Sequence, residues 1–327
     1  MKITVAITTF NEGAYLDGLL QDLSQQNFSE NFEIILVEAG SYDFERAKRN
    51  LGCHADKLVF HHLNGINRTH ALNFIFDTAR GDLIVRLDAR SHINSDYLTS
   101  IYALSIDSGA ANVGGVMKPI GRNVSQSIIA KIMSHPLSFG GARARRSNFS
   151  GLADSVYLGA FRKNICDYGD EWFDSTHPKI SEDSDLNYRI RRNGGKVFVD
   201  SAIVVEHYPR EDLKKFYRLC FNYGVGRGLF VIKHRLFSAY RQLVPPLSVF
   251  IFLFLALLGF FNPLANLLLL FLVSFYAGMV FFVSFQISRD LIQIAKLFIG
   301  FVGCHVFWSA GLIFSPVVYL KDLRHAK

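Results

Sequence analysis

The chain has 327 residues, half of them hydrophobic, with 30 phenylalanines and a formal net charge of +7. Its length supports a self-sufficient core, and a basic excess with no aromatic-interleaved basic motif argues for anionic lipid headgroups and against nucleic acid. Cys53, Cys166, Cys220 and Cys304 are scattered, with no CxxC pair and no histidine at ligand spacing, which predicts reduced structural thiols.

The chain enters a strand at once with Ile3-Thr4-Val5-Ala6-Ile7, a start that predicts no signal peptide. A helix follows over 14–25, with Leu16, Leu19, Leu20 and Leu23 on one face. Next come a strand over 32–37, a helix over 43–51 and a short strand over 57–62. A helix over 69–79 presents Leu72, Ile75 and Phe76, and a buried strand over 83–87 ends at Asp88. Apolar runs alternating with helical patterns predict a parallel sheet flanked by helices.

Segments 213–223 and 229–240 mix Lys and Arg with Phe, Leu and Tyr at helical spacing, the pattern of two helices lying in a membrane interface. Three apolar stretches then follow, 243–261, 264–286 and 294–320, each near the ~20 residues that cross a ~30 Å hydrocarbon core. The expected organisation is a globular domain over 1–210, interface helices over 211–242, a membrane region of about three helices over 243–320 and a basic tail over 321–327. Lys233, Arg235 and Arg241 precede the first stretch and favour a cytoplasmic globular domain. Three spans put Lys321, Arg324 and Lys327 on the far side, against the same rule. Either the third stretch is interfacial or re-entrant, or Arg289 and Lys296 set the orientation.

Ligands of open α/β sheets bind beyond the carboxyl ends of the strands. Three groups fall there: Thr8-Thr9-Phe10-Asn11-Glu12, Glu38-Ala39-Gly40-Ser41 and Asp88-Ala89-Arg90. Singly each reads as turn chemistry; together they predict one binding edge. Neither GxGxxG nor GxxxxGK[ST] follows a strand, which removes the main support for dinucleotide and P-loop sites. Further on, Ser181-Glu182-Asp183-Ser184-Asp185-Leu186 opens a helix with Leu186 and Ile190 inward and Arg189, Arg191 and Arg192 outward, ended by Gly194-Gly195. Ser181, Asp183 and Asp185 suit a helix cap, and a carboxylate there also suits base catalysis.

In this order, the segments at Thr9, Glu38, Asp88 and Glu182-Asp183 resemble the motifs of family 2 inverting glycosyltransferases over residues 1 to about 230. Val113-Gly114-Gly115-Val116, Tyr157-Leu158-Gly159-Ala160-Phe161-Arg162 and Tyr208-Pro209-Arg210 are similar to the succinoglycan-type exopolysaccharide branch. The resemblance implies an α/β fold of GT-A type, a Rossmann-like mixed sheet flanked by helices, with transmembrane helices after it.

By the same resemblance, Glu38 accepts from a nucleobase imide, and Thr9, Asn11, Glu12, Arg68 and Asp88 complete the nucleotide site. The family's acidic DxD pair implies Mg2+ or Mn2+ bridging the donor diphosphate. Two positions depart from the pattern: Ala39 replaces the second of two aspartates, and Arg90 replaces the second DxD carboxylate. Asp88 keeps a metal, with His92 as a further ligand, or Arg90 grips the diphosphate directly; the first reading is preferred. Asp183 is the expected catalytic base and Glu182 the residue that orients it or the acceptor. Arg227 is a further diphosphate or acceptor candidate, and Trp172 either stacks on a sugar or joins the core. The 140–151 segment, with Arg143, Arg145 and Arg146, is either an acceptor lid or a plain connection.

The QxxRW motif of processive members is absent, and Tyr223-Gly224-Val225-Gly226-Arg227 stands in its place, which implies single-sugar addition. The expected reaction moves one sugar from a nucleotide-diphosphate donor to a polyprenyl-linked saccharide at the inner membrane, during surface glycan assembly. Transfer to polyprenyl phosphate itself, or a silent scaffold in a synthase complex, are the competing readings.

Overall fold

The computed structural model describes residues 1–139, 148–164, 168–169, 171–175, 181–237 and 240–325. The three arginines of the 140–151 segment, Cys166 and Asp170 lie outside the described residues. The chain divides into two compact units, Met1–Ile120 with Gly141–Tyr208, and Gly121–Gly140 with Pro209–Lys327.

The first unit is built on strands β1 (Ile3–Thr9), β2 (Phe32–Glu38), β3 (Leu58–His62) and β4 (Leu83–Asp88), which pair in parallel. Their near-continuous apolar runs suit a sheet covered on both faces. In β1, Ile3, Val5 and Ile7 join a core cluster with Leu16, Leu19, Leu20 and Leu23 of α1 (Gly13–Ser24). Ala6 points the other way, into a cluster with Leu72, Ile75 and Phe76 of α3 (Arg68–Thr78). Between them α2 (Phe44–Leu51) is capped by Asp43, whose side chain accepts from Glu45 N and Arg46 N, and Asn67 caps α3 in the same way at His70 N.

The sheet continues through β5 (Ser91–His92), α4 (Tyr97–Ser108), β6 (Asn112–Pro119), β7 (Gly151–Leu152), β8 (Ala160–Arg162) and β9 (Val197–His207). Strand order is β3-β2-β1-β4-β8-β6-β9-β5, with β7 beside β9. Strand β8 is antiparallel to β4 and β6, whereas β6 and β9 are parallel, so the sheet is mixed. The register pairs Thr9 with Glu38 and Thr8 with Asp88, which brings those strand ends to one edge.

After α5 (Val124–Ser134), which belongs to the second unit, α6 (Glu182–Arg192) returns to the first and buries Leu186 and Ile190 completely. Arg189, expected outward, turns back instead: its Nε donates to Asp185 Oδ2 at 3.0 Å, and its other nitrogens to the carbonyls of Tyr168, Glu171 and Trp172. A fully buried Asp185 requires that countercharge.

The second unit departs from expectation twice. The two interface helices form one, α7 (Leu213–His234). Its glycines are not breakers there: a Cβ on Gly224 would stand 2.0 Å from the Trp308 carbonyl oxygen of α10 (Leu291–His325), so the small residue permits close helix packing. The three expected spans are also uneven. Helix α8 (Val244–Leu258) has 15 residues and rises only ~22 Å, short of a ~30 Å core. Two helices among the described residues are long and apolar enough to cross a membrane, α9 (Pro263–Ile287) and Leu291–Lys321 within α10. Leu264, Leu267, Leu270 and Phe271 of α9 lie exposed, as suits a lipid-facing surface.

Candidate functional site

The edge formed by the β1, β2 and β4 ends is tied together by side chains. Asn11, at φ 54°, accepts from both Ser41 N and Ser41 Oγ at 3.2 Å, which joins the loop after β1 to the loop after β2. Gly40 is required between them, because a Cβ there would lie 2.4 Å from Asn11 Oδ1 and 2.7 Å from Glu38 Oε1. Glu38 is fully buried; Oε1 accepts from Gly40 N at 2.7 Å, while Oε2 has no hydrogen-bond partner. The Thr9 hydroxyl is likewise buried without a partner. Buried acceptors left unsatisfied are costly, so their concentration at one edge marks a place built for donors.

Arg90 and Glu12 meet at this edge: Arg90 Nε and Nη2 lie 3.0 and 2.8 Å from the two Glu12 oxygens, and the guanidinium sits 4.2 Å over the Tyr15 ring. The structure thus gives Arg90 a carboxylate partner on the β1 loop. His92 is turned to a different partner, with Nδ1 2.6 Å from Asp22 Oδ2.

At the centre stands a lattice of alternating charge. Arg68, the first residue of α3, donates from Nη2 to Asp88 Oδ1 at 2.6 Å, and its Nε lies 3.5 Å from Glu182 Oε1. Arg86 of β4 donates from Nη2 to the same Glu182 oxygen at 2.9 Å, with its Nε 3.6 Å from Asp88 Oδ1. Two guanidiniums therefore bridge the end of β4 to the first turn of α6. Burial alone would raise Asp88, but Arg68 and Arg86 outweigh it, helped by His207, and bring it to about 2. Burial would raise Glu182 too, and the same two arginines hold it below the usual carboxylate range. Asp183 moves the other way, pushed up by burial and by the neighbouring Glu182 charge. Adjacent carboxylates pushed apart in this way can serve one as fixed charge and the other as proton acceptor. Ser181 makes no capping hydrogen bond and sits at φ 74°, backbone strain of the kind held at functional sites.

Two sequence candidates lie elsewhere. Trp172 packs against Phe76 at 5.2 Å and Tyr168 at 4.2 Å, on the edge of a core cluster. Arg227 belongs to α7 in the second unit, its guanidinium 5.3 Å from the Phe230 ring centre. Conversely, sequence reasoning passed over Arg86, although a lone cation in the buried strand Leu83–Asp88, two residues before Asp88 and on its face, was a usable signal. It also gave no role to His207, which closes β9 and whose Nδ1 lies 2.9 Å from the Tyr157 hydroxyl.

The donor set bears on a divalent cation. No group of three or more His, Cys, Asp or Glu that could hold a metal occurs among the described residues. Asp88 commits Oδ1 to the arginines, and Oδ2 forms no hydrogen bond to described residues. One carboxylate oxygen fits a hard cation that takes its remaining ligands from substrate oxygens and water.

Residues 4–168, about half of the chain, match glycosyl transferase family 2, and the chain belongs to that family. It is 26% identical over 245 residues to dolichyl N-acetyl-alpha-D-glucosaminyl phosphate 3-beta-D-2,3-diacetamido-2,3-dideoxy-beta-D-glucuronosyltransferase of Methanococcus voltae, covering 71% of this chain and 74% of that one. It is also 26% identical over 268 residues to succinoglycan biosynthesis protein ExoA of Rhizobium meliloti (strain 1021), covering 80% and 79%. A shorter match, 36% over 92 residues and 27% of this chain, is to an undecaprenyl-phosphate 4-deoxy-4-formamido-L-arabinose transferase of Aeromonas hydrophila, of which it covers 28%. Among solved structures, mannosyltransferase PcManGT from Pyrobaculum calidifontis, in complex with GDP-Man and Mn2+, superposes with a TM-score of 0.59 at 17% identity, covering 96% of this chain and 87% of that one. That likeness concerns the fold. With family membership it bears out the expected GT-A architecture and a glycosyltransferase.

Proposed function

We propose that this family 2 glycosyltransferase moves one sugar, with inversion, from a nucleotide-diphosphate donor to a lipid-linked saccharide. The observation that carries the reading is the single charge lattice joining Asp88 to Glu182 beside Asp183. In this reading the Asp88 end serves the leaving group and the Asp183 end the base. The acceptor hydroxyl oxygen attacks the anomeric carbon while its proton passes to Asp183, and the bond to the diphosphate oxygen breaks with its electron pair leaving on the phosphate. A single displacement of this kind inverts the centre and needs no covalent nucleophile.

Glu38 and Thr9 offer buried acceptors to a nucleobase, with the Asn11–Ser41 bridge closing the pocket wall. Arg68 meets the charge gathering on the diphosphate, while the Arg90–Glu12 pair bounds the pocket on the β1 side. Asp88 is the residue that would hold Mg2+ or Mn2+, whose chemistry there is neutralisation of the leaving diphosphate. For the acceptor, the support is the lipid-phosphate substrates in two relatives' names, together with two apolar helices of membrane-spanning length. The reading places the chain at the inner membrane, with its first unit cytoplasmic.

The test is to incubate the purified full chain in lipid nanodiscs with UDP-, GDP- and dTDP-sugars and either polyprenyl-diphosphate saccharides or polyprenyl phosphate. A lipid-linked saccharide lengthened by one inverted sugar is the expected product. Transfer to polyprenyl phosphate alone would reassign the acceptor, and folded protein that transfers nothing would leave a scaffold.

A further inference from the structure

We propose that Arg86 is a positioning residue for the transfer step: clasped between Glu182 and Asp88, its guanidinium fixes the first turn of α6 and with it the charge environment of Asp183. The inference rests on the reading of Asp183 as the base.

Arg86 is 4% exposed in a strand whose other members, up to Asp88, are apolar. Only Nη2 has a hydrogen-bond partner; Nε and Nη1 are buried without one. A half-satisfied buried guanidinium is a poor device for stability, since apolar residues of similar volume replace buried ion pairs at no cost or a gain. Its place between Glu182 and Asp88 points to another task. The Arg86 guanidinium also lies 5.8 Å from the Phe173 ring centre, itself in the core. Without Arg86, Glu182 would face only Arg68, which is more distant at 3.5 Å and 38% exposed.

The charged groups around Asp183 are few among the described residues. Glu182 precedes it on α6, and Asp185 further along is neutralised by Arg189. Strand β4 contributes Arg86 and α3 contributes Arg68, while Asp88 acts on Glu182 and His207 at the end of β9 on Asp88. Glu182 raises the proton affinity of Asp183, and the two arginines lower it. Arg86 is the buried one of the pair, so its positive charge is screened least.

The experiment is the pH profile of kcat/KM for the full chain in nanodiscs, comparing wild type, R86M, R86Q and R86K. Removing the positive charge raises the proton affinity of Asp183, so in R86M the acid limb moves to higher pH, by about 1 unit. The R86K variant keeps the charge and the wild-type limb, with kcat lowered and donor KM little changed. R86Q, which retains a donor for Glu182, gives the same shifted limb if R86M does not fold. A limb that stays in place in the neutral variants, or moves equally in R86K, overturns the assignment. A wild-type enzyme inactive with every donor overturns the premise as well, and so is told apart from an active enzyme with an unmoved limb.

Discussion

Replacing Glu182 with Gln tests the lattice as a physical object. The substitution preserves shape and removes one charge. It leaves the Arg86 guanidinium, 5% exposed, without the carboxylate that now stands 2.9 Å away. Breaking a buried pair by removing one partner costs about 3–5 kcal/mol. Arg86 retains Asp88 at 3.6 Å, and Asp88 is shared with Arg68, which points to the lower end, about 3 kcal/mol. For a unit of this size that is a fall of roughly 6–12 °C in Tm. Thermal unfolding of the full chain in detergent, followed by tryptophan fluorescence, measures it. The double variant E182Q/R86M no longer strands a charge and should be more stable than the sum of its single variants by about 0.5–3 kcal/mol. A single variant within ~2 °C of wild type, about 0.5–1 kcal/mol on the same scale, or an additive double variant, would refute the reasoning.

Two further outcomes follow from the same geometry. Asp88→Asn should weaken nucleoside diphosphate binding by calorimetry and abolish any dependence of that binding on Mn2+, while leaving the fold intact; unchanged, metal-dependent binding would remove Asp88 from the site. In the second unit, Gly224→Val forces a side chain into the 2.0 Å gap before the Trp308 carbonyl. Overpacking of this kind typically costs about 1–3 kcal/mol, read as a lower Tm of the detergent-solubilised chain, and an unchanged Tm would show that α7 and α10 do not pack as described.

Much of the first unit was legible because its local signals agree with one another. Strands β1, β2 and β4 are buried and mostly apolar, α2 and α3 carry Asp43 and Asn67 as caps, and the leucines of α1 fall on one face. Parallel pairing then carries Thr9, Glu38 and Asp88 to a common edge, and that step needs only topology. Partner choice was not legible. Arg90 pairs with Glu12 and His92 with Asp22 because of how the β1 loop and α1 lie beside β4 and β5, a matter of three dimensions. Arg86 hid inside a hydrophobic run, where a single charge reads as an interruption until Glu182 is seen opposite. Glycine misled in the second unit: it marks breaks in isolated helices, yet along α7 it marks close approach to α10. The length of α8 was overread because Gly259 and Phe260 are apolar but fall after the helix ends at Leu258.

The most direct test of the account is transfer by Asp183→Asn measured beside wild type, at saturating donor and with nucleotide binding recorded on the same preparation. The account predicts wild-type transfer, unaltered nucleotide affinity in the variant, and a kcat lower by about 10²–10⁴-fold, the contribution of a positioned general base. A variant that transfers sugar at the wild-type rate would contradict it.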